Sequence, residues 1–266
     1  MLIMNVYKYT YKKLAKGFLS GIAFATLALS MPSCMDDDEP YTMEDVMITI
    51  ATVVPIGEST YYLRLDNGDT LWPSDTLYPD YIPQEGQRVM VSFIFATDSG
   101  DNQPNGYSYY IEINAIHDIL TKDIAPDLGE DNDSIYGTDP VTIADSDYIW
   151  VGDGFLNVYF ETYWGGQTPH YINLIQPDAE NDPYALEFRH NAYDDPEEFS
   201  SSGRVAFDLS SLPDTQGETV KLKVKVIETS GEVVYTLDYN SDKTITTNTT
   251  FGYEEYNDIF NITDLN

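Results

Sequence analysis

Short segments in which apolar and polar residues alternate recur along most of this chain, and they constrain its fold more than any other feature. In the clearest of them, Val220 to Val226, valine and leucine alternate with Lys221, Lys223 and Lys225. A period of two places the apolar side chains on one face of a β-strand, and another layer must cover that face. No amphipathic segment of helix length is evident from Cys34 onward, so the sequence predicts an all-β fold.

The first group of segments predicts a small barrel over residues 43–122. Asn67-Gly68 separates two of its strands, and this dipeptide is typical of a two-residue type I′ turn. A proline-rich connection follows from Pro73 to Pro83, and two longer strands complete the group. The predicted strands are Val46–Pro55, Tyr61–Leu65, Thr70–Trp72, Val89–Phe95 and Tyr109–Ile113. Their number and spacing predict a five-stranded OB-like barrel.

The second group predicts a sandwich over residues 141–266, which includes a C-terminal tail. Seven strands with turns every 8–20 residues favour an immunoglobulin-like β-sandwich. They lie at Tyr148–Val151, Leu156–Phe160, Ile172–Leu174, Tyr184–Phe188, Val205–Leu209, Val220–Val226 and Val233–Tyr239. Between the two groups, residues 123–140 are rich in acids, proline and glycine, and they predict an acidic linker.

The N-terminus has the three parts of a secretory signal. Four lysines precede an apolar stretch, residues 17–29, which is too short to span a bilayer comfortably, and Ser33 precedes the only cysteine, Cys34. Leu29-Ser-Met-Pro-Ser-Cys34 resembles a loose lipobox of the Bacteroidetes type. The sequence therefore predicts a signal peptide at residues 1–33 and acylation, including palmitate, at Cys34. An uncleaved anchor helix or a buried free cysteine is the alternative.

An acidic tether, residues 34–42, follows the predicted lipid site. Its run from Asp36 to Glu39 resembles the signal that sends such lipoproteins to the outer face of the outer membrane, although a solvated spacer would have the same composition. We therefore expect a location at the outer membrane and cell surface. The lipid on Cys34 would be the contact with the membrane.

The charge of the chain limits its partners. Its net charge is −32, from 45 acidic and 13 basic residues. Loss of residues 1–33 removes four lysines and no acids, which leaves the mature chain at −36. Such a charge argues against nucleic acid or anionic lipid as a partner and favours cations or basic proteins.

The first group of strands carries a family resemblance. The hairpin from Tyr61 to Pro73, with Leu-Asp-Asn-Gly-Asp-Thr-Leu-Trp-Pro, and the later strand Gly86-Gln-Arg-Val-Met-Val-Ser-Phe resemble the NigD-like lipoproteins of Bacteroidetes. These motifs consist of turn and core residues. The resemblance implies an OB-like domain followed by a β-sandwich and a role in immunity to a bacteriocin. It implies no catalytic residues.

Few residues predict chemistry. Nucleophile elbows, P-loops, dinucleotide-binding glycine motifs and zinc-protease motifs are absent. His117, His170 and His190 stand apart, and His190 is in phase with the apolar Phe188, so we expect it to point toward the core side or to lie at an end of its strand. The sequence therefore predicts a protein that is not an enzyme and needs no cofactor.

Three weaker candidates remain. Asp131 with Asp133, and Asp178 with Asp182, could hold calcium in loops, or they could simply be solvated. Trp164 precedes two glycines and could stack on a sugar ring. Thr76 and Ser134 lie in Asp-Thr-Leu and Asp-Ser-Ile, which resemble the O-glycosylation sites of exported Bacteroidetes proteins.

Three functions are consistent with these observations. The leading one is a cell-envelope lipoprotein that acts by binding, and immunity to a basic protein toxin suits its charge. The alternative is a surface glycan-binding lipoprotein of a polysaccharide-uptake system. A hydrolase is the third possibility, but it lacks a recognisable catalytic set.

Overall fold

A computed structural model describes residues 46–96, 104–166 and 168–242, and the backbone of 251–252. The predicted signal peptide, Cys34 and the acidic tether lie outside these residues, as does most of the predicted C-terminal tail. Within the described residues, no helix has both the length and the apolar character needed to cross a membrane.

The first five strands form a closed barrel, as predicted. They are β1 (Met47–Pro55), β2 (Tyr61–Leu65), β3 (Thr70–Thr76), β4 (Arg88–Phe95) and β5 (Tyr109–Asp118). Their order is β1-β2-β3-β5-β4, and β1 pairs with β4 to close the sheet. The β3–β5 pair is parallel and the others are antiparallel. The alternating apolar side chains fill the interior, among them Leu63, Leu71, Val91, Phe93 and Ile111.

The predicted type I′ turn at Asn67-Gly68 is wrong. Only Gly68 has a positive φ, of 85°, whereas a type I′ turn requires a positive φ at both central residues. The hairpin continues to Leu65, whose N–H donates to the carbonyl of Asp69 at 2.8 Å, so the loop consists of three residues, 66–68. Asp66, the first of them, binds a buried arginine described below.

Two four-stranded sheets form the predicted sandwich. One has the order β6-β11-β8-β7 and the other β13-β12-β10-β9. The strands are β6 (Leu120–Asp123), β7 (Ile149–Gly152), β8 (Phe155–Trp164), β9 (Tyr171–Ile175), β10 (Ala185–Asn191), β11 (Phe199–Asp208), β12 (Val220–Glu228) and β13 (Gly231–Tyr239). All seven predicted strands are present, and β6 joins them through a parallel pairing with β11. Their inward faces form one apolar core.

Residues 123–140, for which we predicted a linker, have defined secondary structure. They contain a 3₁₀ turn (Gly129–Asp131) and a short helix, α1 (Asn132–Tyr136). The side chain of Asn132 bonds to Asp127 and to the backbone of Leu128, and the hydroxyl of Tyr136 donates to the carbonyl of Pro126. The composition of this acidic segment allows only modest apolar burial. Polar contacts therefore contribute to its order.

A buried arginine joins the barrel to the sandwich. Arg88 on β4 is fully buried, and its Nη2 lies 2.7 Å from Oδ1 of Asp66. Its other donors bind Oγ1 of Thr52 at 3.0 Å and Oδ1 of Asn157, on sandwich strand β8, at 3.2 Å. The second carboxylate oxygen of Asp66 accepts a bond from Trp150 Nε1, on β7, at 2.9 Å. This network spans both domains and fixes their relative position.

Close packing surrounds the network. A small apolar cluster of residues from both domains lies beside it, formed by Ile50, Ile119, Phe155 and Ala206. A Cβ added to Gly152 would lie 2.2 Å from the Asp66 carboxylate, so only glycine fits there. A second interdomain ion pair joins Arg64 to Asp153, with Nε to Oδ1 at 2.7 Å.

The last described strand lies within the predicted tail. β14 (Phe251–Gly252) pairs antiparallel with the start of β1, at Ile48 and Met47. The chain therefore returns from the end of the sandwich to the barrel.

Candidate functional site

Three aromatic side chains form a cluster on the outer side of the barrel. They are Tyr62 on β2, Trp72 on β3 and Tyr107, which precedes β5. The ring centroids of Trp72 and Tyr107 are 4.8 Å apart, with an angle of 35° between the planes, and those of Tyr62 and Tyr107 are 5.3 Å apart, at 53°. All three residues are half-buried. We call these three residues the aromatic cup.

The strand pattern places these rings outside the core. Tyr62 lies between the buried Tyr61 and Leu63, and Trp72 follows the buried Leu71, so both occupy outward positions of their strands. Tyr107 is brought to them by its neighbour Ser108. The backbone N–H of Ser108 donates to Oγ1 of Thr70 at 3.0 Å, and the N–H of Thr70 donates to Oγ of Ser108 at 3.1 Å.

The side chains of the aromatic cup belong to a type that makes two kinds of contact. Aromatic rings attract cations through their electron-rich faces and also pack against apolar surfaces. Sequence reasoning missed the aromatic cup and selected Trp164 instead. The sequence did contain a signal for it: in the alternating pattern of their strands, Tyr62 and Trp72 occupy outward positions, where polar residues are expected.

A second cluster, of two histidines and an aspartate, is buried in the sandwich domain. Nε2 of His190 on β10 is 2.8 Å from Nδ1 of His170, and Nε2 of His170 is 3.5 Å from Oδ2 of Asp195. The expectation that His170 and His190 stand apart is wrong. Antiparallel pairing of β9 with β10 sets His190 opposite Ile172, two residues from His170. The inward direction predicted for His190 is confirmed, because it is 2% exposed.

The surroundings of this cluster fix its charge. Burial and the neighbouring His170 lower the pKa of His190 to about 4, so His190 is neutral near pH 7. Burial acts to raise the pKa of Asp195, but bonds from the N–H groups of Gly165 and Thr168 outweigh it and hold the pKa below its ordinary value. Those bonds are 2.6 and 3.1 Å long. Since the side chains of His170 and Asp195 are almost fully enclosed, the cluster holds the fold together rather than meeting a ligand.

Trp164, the predicted glycan contact, packs beside this buried cluster. Its indole N–H donates to the carbonyl of Thr168 at 3.1 Å, and its ring lies 6.3 Å from His170 and 6.0 Å from Phe199, between centroids. The indole is half-buried, and its only polar group is used within the chain. Stacking on a sugar remains a prediction for this residue.

The predicted glycosylation sites differ in accessibility. Ser134 is exposed on α1, and its hydroxyl donates to the carbonyl of Asp131. Thr76 is half-buried at the end of β3, and its Oγ1 accepts a bond from the N–H of Tyr78 at 2.9 Å. Modification of either residue stays a prediction.

The predicted calcium residues take part in other contacts. Asp133 pairs with Arg189, with Oδ1 2.7 Å from Nη1, and Asp182 pairs with Lys223, also at 2.7 Å. Asp178 accepts a bond from the side chain of Asn181, and Asp131 lies at the start of α1. Across the described ranges, no three carboxylate, imidazole or thiol groups are grouped as a metal site would require.

Every lysine and arginine of the described ranges is engaged inside the chain. Six of them form ion pairs with carboxylates: Arg64, Arg88, Arg189, Lys221, Lys223 and Lys225. Lys122 donates to the carbonyl of Ile172 and to Asn173, and Arg204 lies over the ring of Tyr159. The basic side chains of these ranges are thus engaged, and most carboxylates of the same ranges are exposed.

Solved structures share this two-domain fold. A protein labelled toxin-related from Parabacteroides distasonis is 60% identical, and the match covers 75% of this chain and 96% of that one with a TM-score of 0.70. A protein of unknown function from Bacteroides vulgatus is 26% identical, over 78% and 95% of the two chains, with a TM-score of 0.62. A NigD-like immunity protein from Bacteroides caccae shares the fold at 18% identity, over 73% and 96% of the two chains, with a TM-score of 0.56.

Family models account for both domains. Residues 50–119 match the NigD-like N-terminal OB domain, and residues 123–239 match the NigD-like C-terminal β-sandwich domain. Among curated proteins, none matches the chain. The two domain matches adjoin in the expected order, and they agree with the 60% identity to the Parabacteroides protein. The chain therefore belongs to the NigD-like family.

Proposed function

We propose that this protein is a lipid-anchored component of the cell envelope that binds a positively charged protein, in the manner of an immunity protein. The observation that carries the proposal is the uncompensated negative charge. The chain has a net charge of −32, and the described basic side chains are already engaged internally. Complementary charge attracts a partner and speeds its association.

The comparisons support a link to toxins and immunity. The 60% identical protein of Parabacteroides distasonis is labelled toxin-related, and the family includes a protein described as an immunity protein. A basic toxin that acts on the envelope would meet the acidic surface before it reached its target. Binding alone would then be sufficient for protection, and no catalytic step is required.

The anchor supports the place of action. A basic segment, an apolar segment and a small residue precede Cys34, which is the order of a lipoprotein signal. One acyl chain binds a membrane only marginally, whereas two or three chains on one cysteine give a stable anchor. The acidic tether would then hold the domains away from the bilayer.

Survival of cells tests this function directly. A strain without the gene is complemented with the wild type or with Cys34→Ala, and each strain is exposed to basic proteins retained by cation exchange from culture fluids of related strains. We expect the wild type to protect cells from at least one fraction and Cys34→Ala to protect much less. Equal survival of the deletion strain and the complemented strain in every fraction would contradict the proposal.

Glycan binding is the second candidate. The aromatic cup favours it, because tyrosine and tryptophan rings pack against the apolar faces of sugars. An array of neutral glycans tests it with three proteins: the wild type, Trp72→Ala and the sequence candidate Trp164→Ala. Binding that is lost in one variant would support this function and identify the ring responsible, whereas an array without binding would count against it.

A further inference from the structure

Strand β13 is the one long open edge of the sandwich in the described residues. It has nine residues and lies at the end of its sheet, where it pairs with β12 alone. The other edge strands, β6, β7 and β9, have four, four and five residues. A short edge offers little to another chain, whereas a long open edge is a template to which a further strand can add.

The hydrogen bonds of β12 show which backbone groups of β13 face away from the sheet. The N–H of Lys223 donates to the carbonyl of Tyr184 at 2.8 Å, on the side of β10. Successive residues of a strand direct their N–H and C=O groups to opposite sides, so Val224 faces β13, where it pairs with Tyr235. Four alternate residues of β13 therefore direct their N–H and C=O groups outward: Glu232, Val234, Thr236 and Asp238.

This edge is accessible and regular. All four outward residues are exposed, Val234 to 56%. The pairing with β12 is unbroken from Gly231 to Tyr239, and β13 contains no proline. On the other face of the strand, Tyr235 and Leu237 pack against the core. Of the features that commonly protect an edge, which include bulges, proline and inward charges, β13 has only outward charge.

We propose that β13 accepts an extended basic strand of the cationic partner, which adds to this sheet as a fifth strand. This inference rests on the proposed function and names the surface through which the partner is recognised. Main-chain hydrogen bonds to the four outward residues would supply affinity, and the side chains of those residues would supply specificity.

The acidic residues along β13 favour a basic strand. Glu232 lies near one end of the edge and Asp238 near the other. The hydroxyl of Tyr235 donates to Glu228 at 2.5 Å, and burial, this bond and the nearby charge of Asp145 raise the pKa of Tyr235. Two further carboxylates are therefore close to the strand. Opposite charges at facing positions of paired strands attract each other.

The lysines of the neighbouring strand do not oppose this. Three lysines share the outer face of β12, and each is paired with a carboxylate: Lys221 with Asp238, Lys223 with Asp182, and Lys225 with Glu187. Their charge is balanced within the chain. The side chain of Asp238 is still 53% exposed in its pair, so it is able to meet a second cation.

A second copy of this chain fits the edge less well. In the antiparallel register that uses all four outward residues, Glu232 of one copy would face Asp238 of the other, and the same contact would occur twice. Like charges at facing positions repel each other, and each chain has a net charge of −32. The acids therefore oppose self-pairing and attract a basic strand.

Hydrogen–deuterium exchange followed by mass spectrometry locates the added strand. The mature protein, purified in detergent, is mixed with the peptide acetyl-Thr-Arg-Thr-Val-Thr-Val-Thr-Arg-Thr-amide, whose two arginines would face Glu232 and Asp238. One control peptide has glutamate in place of both arginines. The other has N-methyl groups on both valine nitrogens, so it retains the charge and loses the N–H groups that would pair with β13.

We expect the arginine peptide to slow amide exchange in residues 231–239 and to leave other segments unchanged. Both control peptides should have little effect. Val234→Pro removes an outward N–H that β12 does not use, so it should preserve the fold and weaken the affinity for the arginine peptide about tenfold in calorimetric titrations. Val234→Thr retains this N–H and should bind like the wild type. Urea unfolding reports whether both variants remain folded.

The results separate this inference from the proposed function. Equal binding of the N-methyl peptide, or slowed exchange only outside residues 231–239, would overturn strand addition. Slowed exchange at 231–239 on concentrating the protein alone would also overturn it and assign the edge to a second copy. If the basic protein fractions bind the wild type and Val234→Pro equally well, β13 is not the recognition surface, although the proposed function stands. If no basic protein binds at all, the proposed function fails, whatever the peptides do.

Discussion

Substitution of Asp66 by asparagine is the most informative perturbation of the fold. Asp66 is the only carboxylate bonded to the fully buried Arg88 in the described residues, and the two charged atoms are 2.7 Å apart. Asparagine has nearly the same shape and retains one oxygen for Trp150 Nε1. The change therefore removes a charge from the domain interface and leaves the packing almost intact.

The size of the effect follows from the remaining contacts of Arg88. Removal of one partner of a buried ion pair costs about 3–5 kcal/mol, because the other charge stays buried and unpaired. Thr52 and Asn157 still accept bonds from the guanidinium, at 3.0 and 3.2 Å, and Phe155 still faces it at 5.4 Å. We therefore expect a loss near the lower limit, about 3 kcal/mol in the free energy of unfolding.

Urea unfolding measures this loss, followed by tryptophan fluorescence, because Trp150 reports on the interface. A double-mutant cycle with Arg88→Met isolates the pair, and the double variant should be less destabilised than the sum of the single variants by about 2 kcal/mol. Asp238→Asn is the matched control. Asp238 pairs with Lys221 while both side chains are more than half exposed, so its loss should cost less than about 1 kcal/mol.

Two results would refute this reasoning. One is an Asp66→Asn variant as stable as the Asp238→Asn control. The other is strict additivity in the cycle, which would mean that Asp66 and Arg88 contribute independently.

Three further predictions follow from buried groups. The pKa of His190 is about 4 in the folded chain and near 6.5 in the unfolded chain. As the pH falls from 6.5 to 4, the free energy of unfolding of the wild type should therefore decrease by up to about 3 kcal/mol relative to that of His190→Gln, as measured by urea titrations. The same pH dependence for both proteins would contradict this. Gly152→Ala should weaken the domain interface as Asp66→Asn does, because its Cβ would meet the Asp66 carboxylate, whereas Gly57→Ala has ordinary contacts and should be near neutral in the same assay. Burial lowers the pKa of Lys122 to about 8, so its ¹⁵Nζ resonance should titrate with a midpoint near pH 8, and a midpoint near 10.5 would show that the amine is well hydrated.

Local patterns in the sequence predicted most of the fold. Segments such as Val220–Val226 have an alternation that only a half-covered strand satisfies, and strand β12 occupies this segment. The Asp153-Gly154 pair between β7 and β8 has positive φ angles of 48° and 82°, which are those of a type I′ turn. This signal was present in the sequence and was not used, whereas the similar signal at Asn67-Gly68 was misleading.

Contacts between distant residues could not be predicted in this way. Arg88 reads as an ordinary polar position at the start of a strand, and Asp66 reads as a turn residue. Their pairing depends on how the barrel meets the sandwich, and no local period encodes that geometry. His170 and His190 illustrate the same limit, because only the register of β9 against β10 brings them together.

The candidate site shows what composition can and cannot provide. The prediction of a cationic partner came from the net charge alone, because the net charge can be counted without knowing the fold. The aromatic cup depends on Tyr107, which reaches Trp72 through the paired hydrogen bonds of Ser108 and Thr70. Trp164 was selected for the glycines beside it, whereas its indole packs next to a buried histidine.

Site-specific crosslinking in living cells tests the central claim, that this protein binds a positively charged protein. The photoreactive residue p-benzoylphenylalanine is placed at position 107 on the barrel or at position 163 on the sandwich, and cells are irradiated in culture fluid of related strains. The account predicts a crosslinked protein of high isoelectric point at one or both positions, and the crosslink should be lost at high salt. Crosslinks only to acidic proteins, or no crosslink to a basic protein at either position, would contradict it.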